Sequence, residues 1–108
     1  MIEFDNFEQV DFRVGTVLEV DEFPNAIKPA YQLIIDFGHL GILKSSAQIT
    51  STYTIDELVG RQVVAVVNFP VKKIADFKSQ CLVLGATQGN DVFLLSPLAS
   101  IPNGQVVR

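Results

Sequence analysis

The sequence has 108 residues, a length that suits one domain built around one hydrophobic core. Hydrophobic residues make up 48% of the chain and charged residues 19%, and this balance argues against intrinsic disorder. The formal net charge of −4 argues against non-specific binding to nucleic acid, because phosphate contacts require cations.

The charges are unevenly distributed along the chain. Residues 1–24 carry seven acidic side chains against the single cation Arg13, whereas residues 61–80 carry four cations against Asp76 alone. A polyanion is therefore expected to approach only the basic part.

The single cysteine, Cys81, excludes an internal disulfide. The acidic N-terminal residues contain no apolar run like that of a signal peptide. No stretch approaches the roughly 18 consecutive apolar residues that span a bilayer. We therefore expect a protein of the reducing cytoplasm with no membrane partner.

Strand patterns come first along the chain. In residues 13–20, alternation places four side chains on one face: Val14, Thr16, Leu18 and Val20. Residues 31–37 repeat the alternation with Tyr31, Leu33, Ile35 and Phe37. Gly38-His39 then marks a turn, and residues 40–45 are predicted to return as the second strand of a hairpin.

The middle of the chain breaks the strand period. Ser45 and Gln48 have the spacing of a capping box, which predicts a short helical turn beginning at Ser45. Thr54 and Glu57 form a second such box, and Gly60 is a suitable helix stop.

Strands are predicted again at residues 61–67, 80–86 and 92–95, with turns at 88–91 and at Asn103-Gly104. This order predicts one all-β domain over residues 1–108: a five-stranded OB-fold barrel with short helical insertions, one of them between the third and fourth strands. A β-sandwich is the main alternative. It is less favoured because the helical insertion falls in mid-sheet and the strands are few.

Residues 68–80, which we call the basic segment, interrupt two very apolar strands. They contain three lysines and two phenylalanines. Such a segment can hold a phosphate backbone while a ring stacks on a base. The alternative is a solvated loop whose lysines maintain solubility and whose phenylalanines cover the end of the barrel.

Five blocks of the sequence, in this order and spacing, resemble the CsaA family of export-related chaperones: DFRVG (11–15), KPAY (28–31), KSSAQIT (44–50), VNFP (67–70) and KSQ (78–80). This family is part of a wider tRNA-binding OB-fold group, whose members include domains appended to some methionyl- and phenylalanyl-tRNA synthetases. The resemblance covers nearly the whole chain. It implies a homodimer that binds unfolded or exported polypeptides, with tRNA as an alternative partner.

The resemblance also implies a ligand surface. The residues it places there are Asn68, Lys72, Lys73, Lys78, Ser79 and Gln80, with Arg13, Lys44, Ser45 and Ser46 on neighbouring strands. Phe69 and Phe77 are predicted to line a peptide groove, although simple packing is the alternative for both. Two positions depart from the family pattern. Val71 replaces a common second proline, and Gln80 replaces an acid, which slightly favours a nucleic-acid ligand.

Several of these residues have a structural alternative. Arg13 could pair with Asp11 or Asp36 instead of a ligand, and Ser45 could serve only as a helix cap. Cys81 lies in an apolar strand, where cysteine usually behaves as a small hydrophobic residue.

No catalytic motif is present. The chain has no glycine-rich phosphate loop and no nucleophile elbow, and its one histidine, His39, stands in a predicted turn far from Cys81. We therefore expect no enzymatic activity, no metal and no cofactor.

The predicted function is chaperone-like binding of unfolded or exported polypeptides by a dimer, and the alternative is tRNA or structured-RNA binding through the same basic segment. Two parts of the chain are expected to contribute to the dimer: the chain ends, and an apolar C-terminal run that comprises Leu94, Leu95, Leu98 and Ile101.

Overall fold

The computed structural model describes residues 1–108. It contains two short α-helices, α1 (Phe4–Glu8) and α2 (Ile55–Leu58), and a 3-10 turn at Gly38–Leu40. Neither α-helix has the length and hydrophobicity that a membrane-spanning helix requires. The strands are β1 (Phe12–Glu22), β2 (Tyr31–Asp36), β3 (Ile42–Ala47), β4 (Gln62–Val66), β5 (Lys72–Ile74), β6 (Phe77–Ser79), β7 (Leu82–Val83), β8 (Gly85–Gln88), β9 (Asp91–Leu94) and β10 (Val106–Val107).

The main sheet has the strand order β3-β2-β1-β4-β7, and β10 pairs with the first residues of β1. All the pairings are antiparallel. Residues 79–81 are hydrogen-bonded to β3, so the five strands form a nearly closed barrel, with α2 between β3 and β4. The OB-fold prediction is confirmed.

Strand β1 follows the predicted alternation of faces only in part. Its pairing with β2 changes register between Val17 and Glu19, which marks a β-bulge. Before the bulge, Gly15 and Val17 face the core, and Leu18 is 41% exposed on the other side of the strand. Because the extra residue moves the side chains that follow it to the other face, Val20 joins Val17 in the core. The prediction that Val14, Thr16, Leu18 and Val20 share one face is therefore wrong at Val20, which lies on the core face with Val17. The alternation predicted for residues 31–37 is confirmed, since its four apolar residues are all buried.

Only one of the two predicted capping boxes forms in the structure. The helical turn predicted at Ser45 is wrong, because β3 continues to Ala47 and pairs with β2 over its whole length. The box at Thr54 is confirmed: the Glu57 carboxylate accepts hydrogen bonds from the Thr54 N–H (2.9 Å) and hydroxyl (3.1 Å). These two bonds lower the pKa of Glu57.

Two further elements differ from the prediction. The strand predicted at residues 80–86 is divided, because β7 pairs with β4 while β8 leaves the barrel to form a hairpin with β9. Helix α1 was not predicted. It is short and acidic, and its capping box is made by Glu3 and Asn6 instead of the usual Ser or Thr.

The core lies inside the barrel and against α2. Gly15 in β1 is required there, since a Cβ at this position would lie 2.7 Å from atoms of Ile35 and Phe37. The cluster of buried core residues comprises Val17, Val20, Tyr31, Leu33, Ile35, Phe37, Ala47, Ile49, Leu58, Val63, Ala65 and Cys81.

Candidate ligand-binding surface

The basic segment is not a plain loop. Strands β5 and β6 pair through it as a hairpin, which we call the basic hairpin (residues 72–79), with Ala75 and Asp76 at its turn. Ala75 has φ +53°, and it is the one non-glycine residue of the chain with a positive φ. A positive φ at the first turn residue is typical of tight hairpin turns, whose twist matches that of the strands.

The two faces of the basic hairpin differ. Lys73 stands opposite Lys78, and both side chains are exposed. The other face carries Lys72 opposite Ser79 and Ile74 opposite Phe77. This second face is turned to the barrel, where Ser79 and Phe77 make their contacts, so Lys73 and Lys78 point to solvent.

Phe77 joins the hairpin to the rest of the barrel. Its ring centroid lies 5.4 Å from that of Phe23, which follows β1, and the ammonium nitrogen of Lys44 in β3 lies 5.9 Å from the Phe77 centroid. Of the two roles considered for Phe77, packing is therefore the one for which the structure supplies contacts. Both aromatic packing and a cation over a ring stabilise such an arrangement.

Side chains close the barrel between β3 and residues 79–81, a junction that we call the closing seam. Gln80 holds the backbone of Lys44 twice: its N–H donates to the Lys44 carbonyl (2.7 Å), and its Oε1 accepts from the Lys44 N–H (2.9 Å). The Ser46 N–H donates to Oγ of Ser79 (3.0 Å). The side-chain oxygens of Gln80 and Ser79 thus accept hydrogen bonds from β3 that backbone carbonyls would accept in a regular strand pairing.

Ser45 is the most deeply placed of the predicted site residues. It is fully buried, and its hydroxyl donates to the Cys81 carbonyl at 2.9 Å. The predicted ligand contacts of Ser45, Ser46, Ser79 and Gln80 stay predictions, and the structure places all four in the closing seam.

A cavity of about 330 Å³ lies beside the hairpin, and we call it the hairpin pocket. Phe69 and Leu82 are 49% and 47% exposed at its wall. Cys81, a buried residue of the lining, has its pKa raised to about 12 by this burial, so its side chain is an uncharged thiol at neutral pH. The lining residues are Phe69, Pro70, Lys72, Ser79, Gln80, Cys81 and Leu82.

Leu82 was missed in the sequence, where it belongs to an apolar strand. The period-two rule contained the signal, because a buried Cys81 requires its neighbour to face outward. Phe23 had no such signal, since its contact with Phe77 joins two segments that are far apart in the sequence.

Arg13 and Asn68 lie at a different surface. Arg13 Nε donates to a carboxylate oxygen of Asp11 at 2.6 Å, and its Nη1 donates to the Gly104 carbonyl. Asn68 accepts from the Asp11 N–H (2.9 Å) and donates to the Gln9 carbonyl (2.7 Å). Both line a cavity of about 280 Å³ beside α1 and β10, which we call the terminal cavity.

The predicted site residues are thus divided among three places. Phe69 and Lys72 line the hairpin pocket, and Lys73 and Lys78 lie on the solvent face of the basic hairpin. Four polar residues form the closing seam, and two of them, Ser79 and Gln80, also line the hairpin pocket. Arg13 and Asn68 line the terminal cavity. Lys44 is exposed next to the seam and bridges it to the hairpin through Phe77.

Comparison with known proteins gives consistent matches over the whole chain. The model of the putative tRNA binding domain family matches residues 12–106. A crystal structure of chaperone CsaA from Bacillus anthracis strain Ames is 50% identical, with a TM-score of 0.96 and coverage of 100% of this chain and 99% of that one. A CsaA chaperone protein from Picrophilus torridus is 48% identical, with a TM-score of 0.93 and full coverage of both chains.

Matches among longer proteins are partial. Methionine–tRNA ligase from Methanothrix thermoacetophila is 39% identical over 108 residues, which are 100% of this chain and 16% of that enzyme. The chain therefore spans about a sixth of the length of the curated relatives that it matches.

Proposed function

The chain belongs to the putative tRNA binding domain family and within it to the CsaA chaperones, and from this membership we propose that it is a non-catalytic, chaperone-like binder of unfolded or exported polypeptides that acts as a cytoplasmic homodimer. The membership confirms the resemblance recognised in the sequence. The observation that supports a polypeptide ligand is the hairpin pocket, which offers exposed apolar side chains rimmed by polar groups. We also propose that residues 1–108 form a single domain.

Extended segments of varied sequence need an apolar contact without strict shape selection. Phe69 and Leu82 provide that contact, and both are about half exposed although they are large and apolar. Lys72, Ser79 and Gln80 on the rim can orient a backbone or a polar side chain. With a volume of about 330 Å³, the pocket suits one or two side chains rather than a folded surface.

A dimer would present two hairpin pockets. Bivalent binding of one unfolded chain raises avidity without new contacts, provided that the chain can span both sites. Exposed apolar side chains away from the hairpin support such an assembly, and they include Phe4, Leu95, Leu98, Ile101 and Val106.

The test compares two phenylalanines of nearly equal exposure. Phe69→Ala should weaken binding of an unfolded polypeptide about tenfold and reduce suppression of its aggregation, because the variant loses the pocket wall. Phe93→Ala is the matched control, since Phe93 is 47% exposed on β9, outside the pocket. Suppression of aggregation that is equally reduced by both changes, or by neither, would contradict the proposal.

A second candidate function is tRNA binding, and one observation favours it. Lys73 and Lys78 stand side by side on the solvent face of the hairpin with no carboxylate within ion-pair distance. Phosphate oxygens would neutralise such a pair. The match to part of several methionine–tRNA ligases is consistent with this ligand.

Salt dependence tests the second candidate. Replacing both lysines by alanine should weaken tRNA binding and flatten the slope of log affinity against log salt by roughly 0.9 for each phosphate that a lysine no longer neutralises. Lys28→Ala is the control, because Lys28 is exposed in the connection between β1 and β2. An unchanged slope in the double variant would exclude this hairpin as an RNA-binding element.

A further inference from the structure

Strand β5 has an open edge. It pairs with β6 and with no other strand. Since the hairpin turn has two residues, the pairs Ile74–Phe77 and Lys72–Ser79 exchange backbone hydrogen bonds, and Lys73–Lys78 is the non-hydrogen-bonded pair between them. The N–H and C=O of Lys73 therefore point away from β6, into solvent.

The positive charge of the hairpin is only partly compensated, because residues 72–79 carry three lysines against Asp76 alone. Residues directly opposite in a non-hydrogen-bonded pair have their Cβ atoms about 4.5–5.5 Å apart, so like charges there destabilise the hairpin. The chain has one ion pair, Arg13–Asp11, and it lies elsewhere. A partner that brings carboxylates to Lys73 and Lys78 would relieve this repulsion.

The open edge and the hairpin pocket adjoin each other. Lys72 is both the first residue of β5 and part of the pocket wall, together with Phe69 and Pro70, which precede the strand. Side chains alternate between the two faces of a strand. On a strand added beside β5, residues next to Lys73 would face the two lysines, and residues next to Lys72 would face the pocket.

We propose that β5 accepts an extended peptide segment with alternating acidic and apolar residues as an added strand, whose backbone pairs with Lys73, whose carboxylates meet Lys73 and Lys78, and whose apolar side chain enters the hairpin pocket. This inference rests on the proposed polypeptide-binding function and names the class of segment that is bound. Backbone pairing at an open edge recognises a peptide and not an RNA, because amide groups are what the edge offers. The positive charge of Lys73 and Lys78 selects acidic side chains and the hairpin pocket selects apolar ones, so the two together favour a segment in which these side chains alternate.

The first experiment uses a fluorescent eight-residue peptide of alternating Glu and Leu, and a control of the same composition with all Glu before all Leu. The alternating peptide should bind at least about tenfold more tightly, because only it sends the two kinds of side chain to opposite faces. Equal binding of the two peptides would overturn the proposal.

The second experiment tests the backbone directly. Two versions of the alternating peptide carry N-methyl groups on alternate amides, one set in each version. Only one set can face β5, so one version should lose at least about tenfold in affinity while the other stays within about twofold. Equal affinities of the two versions would overturn strand addition, whatever the side chains contribute.

The protein offers the matching variants. Lys73→Pro removes the outward N–H and is compatible with an edge strand, whereas Lys73→Ala keeps that N–H and removes the charge. Binding should fall at least about tenfold for the proline variant and only a few fold for the alanine variant.

In the unchanged chain, the Lys73 amide should gain protection from hydrogen exchange on peptide binding, and this readout holds even where the proline disturbs the hairpin. An Lys73 amide that exchanges equally fast with and without the peptide would overturn strand addition.

Failure of this inference and failure of the proposed function are distinguishable. Suppression of aggregation that depends on Phe69, together with equal affinities of the two N-methyl peptides, would retain the function and reject strand addition. Absence of any polypeptide binding, together with protection of the hairpin lysine amides from hydrogen exchange by tRNA, would reject both the inference and the proposed function.

Discussion

Burial of Cys81 shows how one side chain is tuned by its position. The thiol forms part of the core beneath the hairpin pocket, and burial raises its pKa to about 12 from an ordinary value of 9.0. Both a reactive thiolate and a soft metal ligand need a deprotonated sulfur. The simpler interpretation of Cys81 in the sequence, a small hydrophobic residue in a strand, therefore agrees with the structure.

This pKa predicts a specific loss of stability in alkali. Above pH 9 the unfolded thiol releases its proton and the folded one retains it, so the free energy of unfolding should fall by up to about 1.4 kcal/mol per pH unit until pH approaches 12. Cys81→Ala should lack this component. Urea unfolding of both proteins between pH 8 and 11 measures it, and a difference in stability that does not change with pH would contradict it.

Single residues were predictable where their partners are near in sequence. The pairing of Arg13 with Asp11 was one of two alternatives, and the two residues are only two positions apart. Ser45 was predicted as a helix cap because Gln48 has the right spacing. Its hydroxyl instead bonds the carbonyl of Cys81, 36 residues away, and no local pattern reports such a contact.

At the scale of elements, the closing seam depends on side chains as much as on the backbone. We expect Gln80→Ala to lower the free energy of unfolding by about 1 kcal/mol, because the Lys44 N–H loses its acceptor. Gln80→Glu keeps an acceptor oxygen and should leave stability nearly unchanged. Chemical denaturation of the two variants measures this, and equal losses from both would show that the amide group has some other role.

The turn of the basic hairpin carries backbone strain that glycine would remove. Ala75→Gly should stabilise the chain by up to about 1 kcal/mol, since a left-handed conformation costs an alanine roughly 1–2 kcal/mol and costs glycine nothing sterically. Ala86→Gly, at an exposed position of β8, should instead destabilise by about 0.5–1 kcal/mol. Thermal unfolding of the pair checks both signs, and a destabilised Ala75→Gly variant would contradict the assigned strain.

Elements were predictable in proportion to their regularity. Strand β2 follows period two without a break, and its burial was predicted in full. The bulge in β1 was not, because an inserted residue leaves the apolar composition unchanged. The sequence does not indicate the strands of the basic hairpin, because lysine is a poor strand former and the turn, Ala75-Asp76, lacks the Asn-Gly or Asp-Gly signal.

At the scale of the whole molecule, exposed apolar residues predict self-association. Leu98→Asp should shift the proposed dimer toward monomer at micromolar concentration, because a charge would be buried in an apolar interface. Ile27→Asp is the control, since Ile27 is also fully exposed but lies in the connection between β1 and β2. Light scattering reports both, and a monomeric unchanged chain at these concentrations would contradict the dimer.

The order of strands and helices was enough to predict the barrel, because few architectures place a helical insertion between the third and fourth of five strands. The division of the site residues was not predictable. Arg13 and Asn68 are of residue types that often contact ligands, yet their hydrogen bonds are made to the backbone of residues 9, 11 and 104. Three-dimensional placement alone separates them from the hairpin.

The pairing of β1 with β10 has a consequence for how the chain acquires its shape. Phe12 pairs with Val107, and Arg13 reaches Gly104 across 91 positions of sequence. Closing a loop of that length loses chain entropy before the new pairing contributes any stability. We therefore expect the meander of β1, β2 and β3 to organise first and the docking of β10 to come late, with refolding on the millisecond-to-second scale of proteins rich in distant contacts.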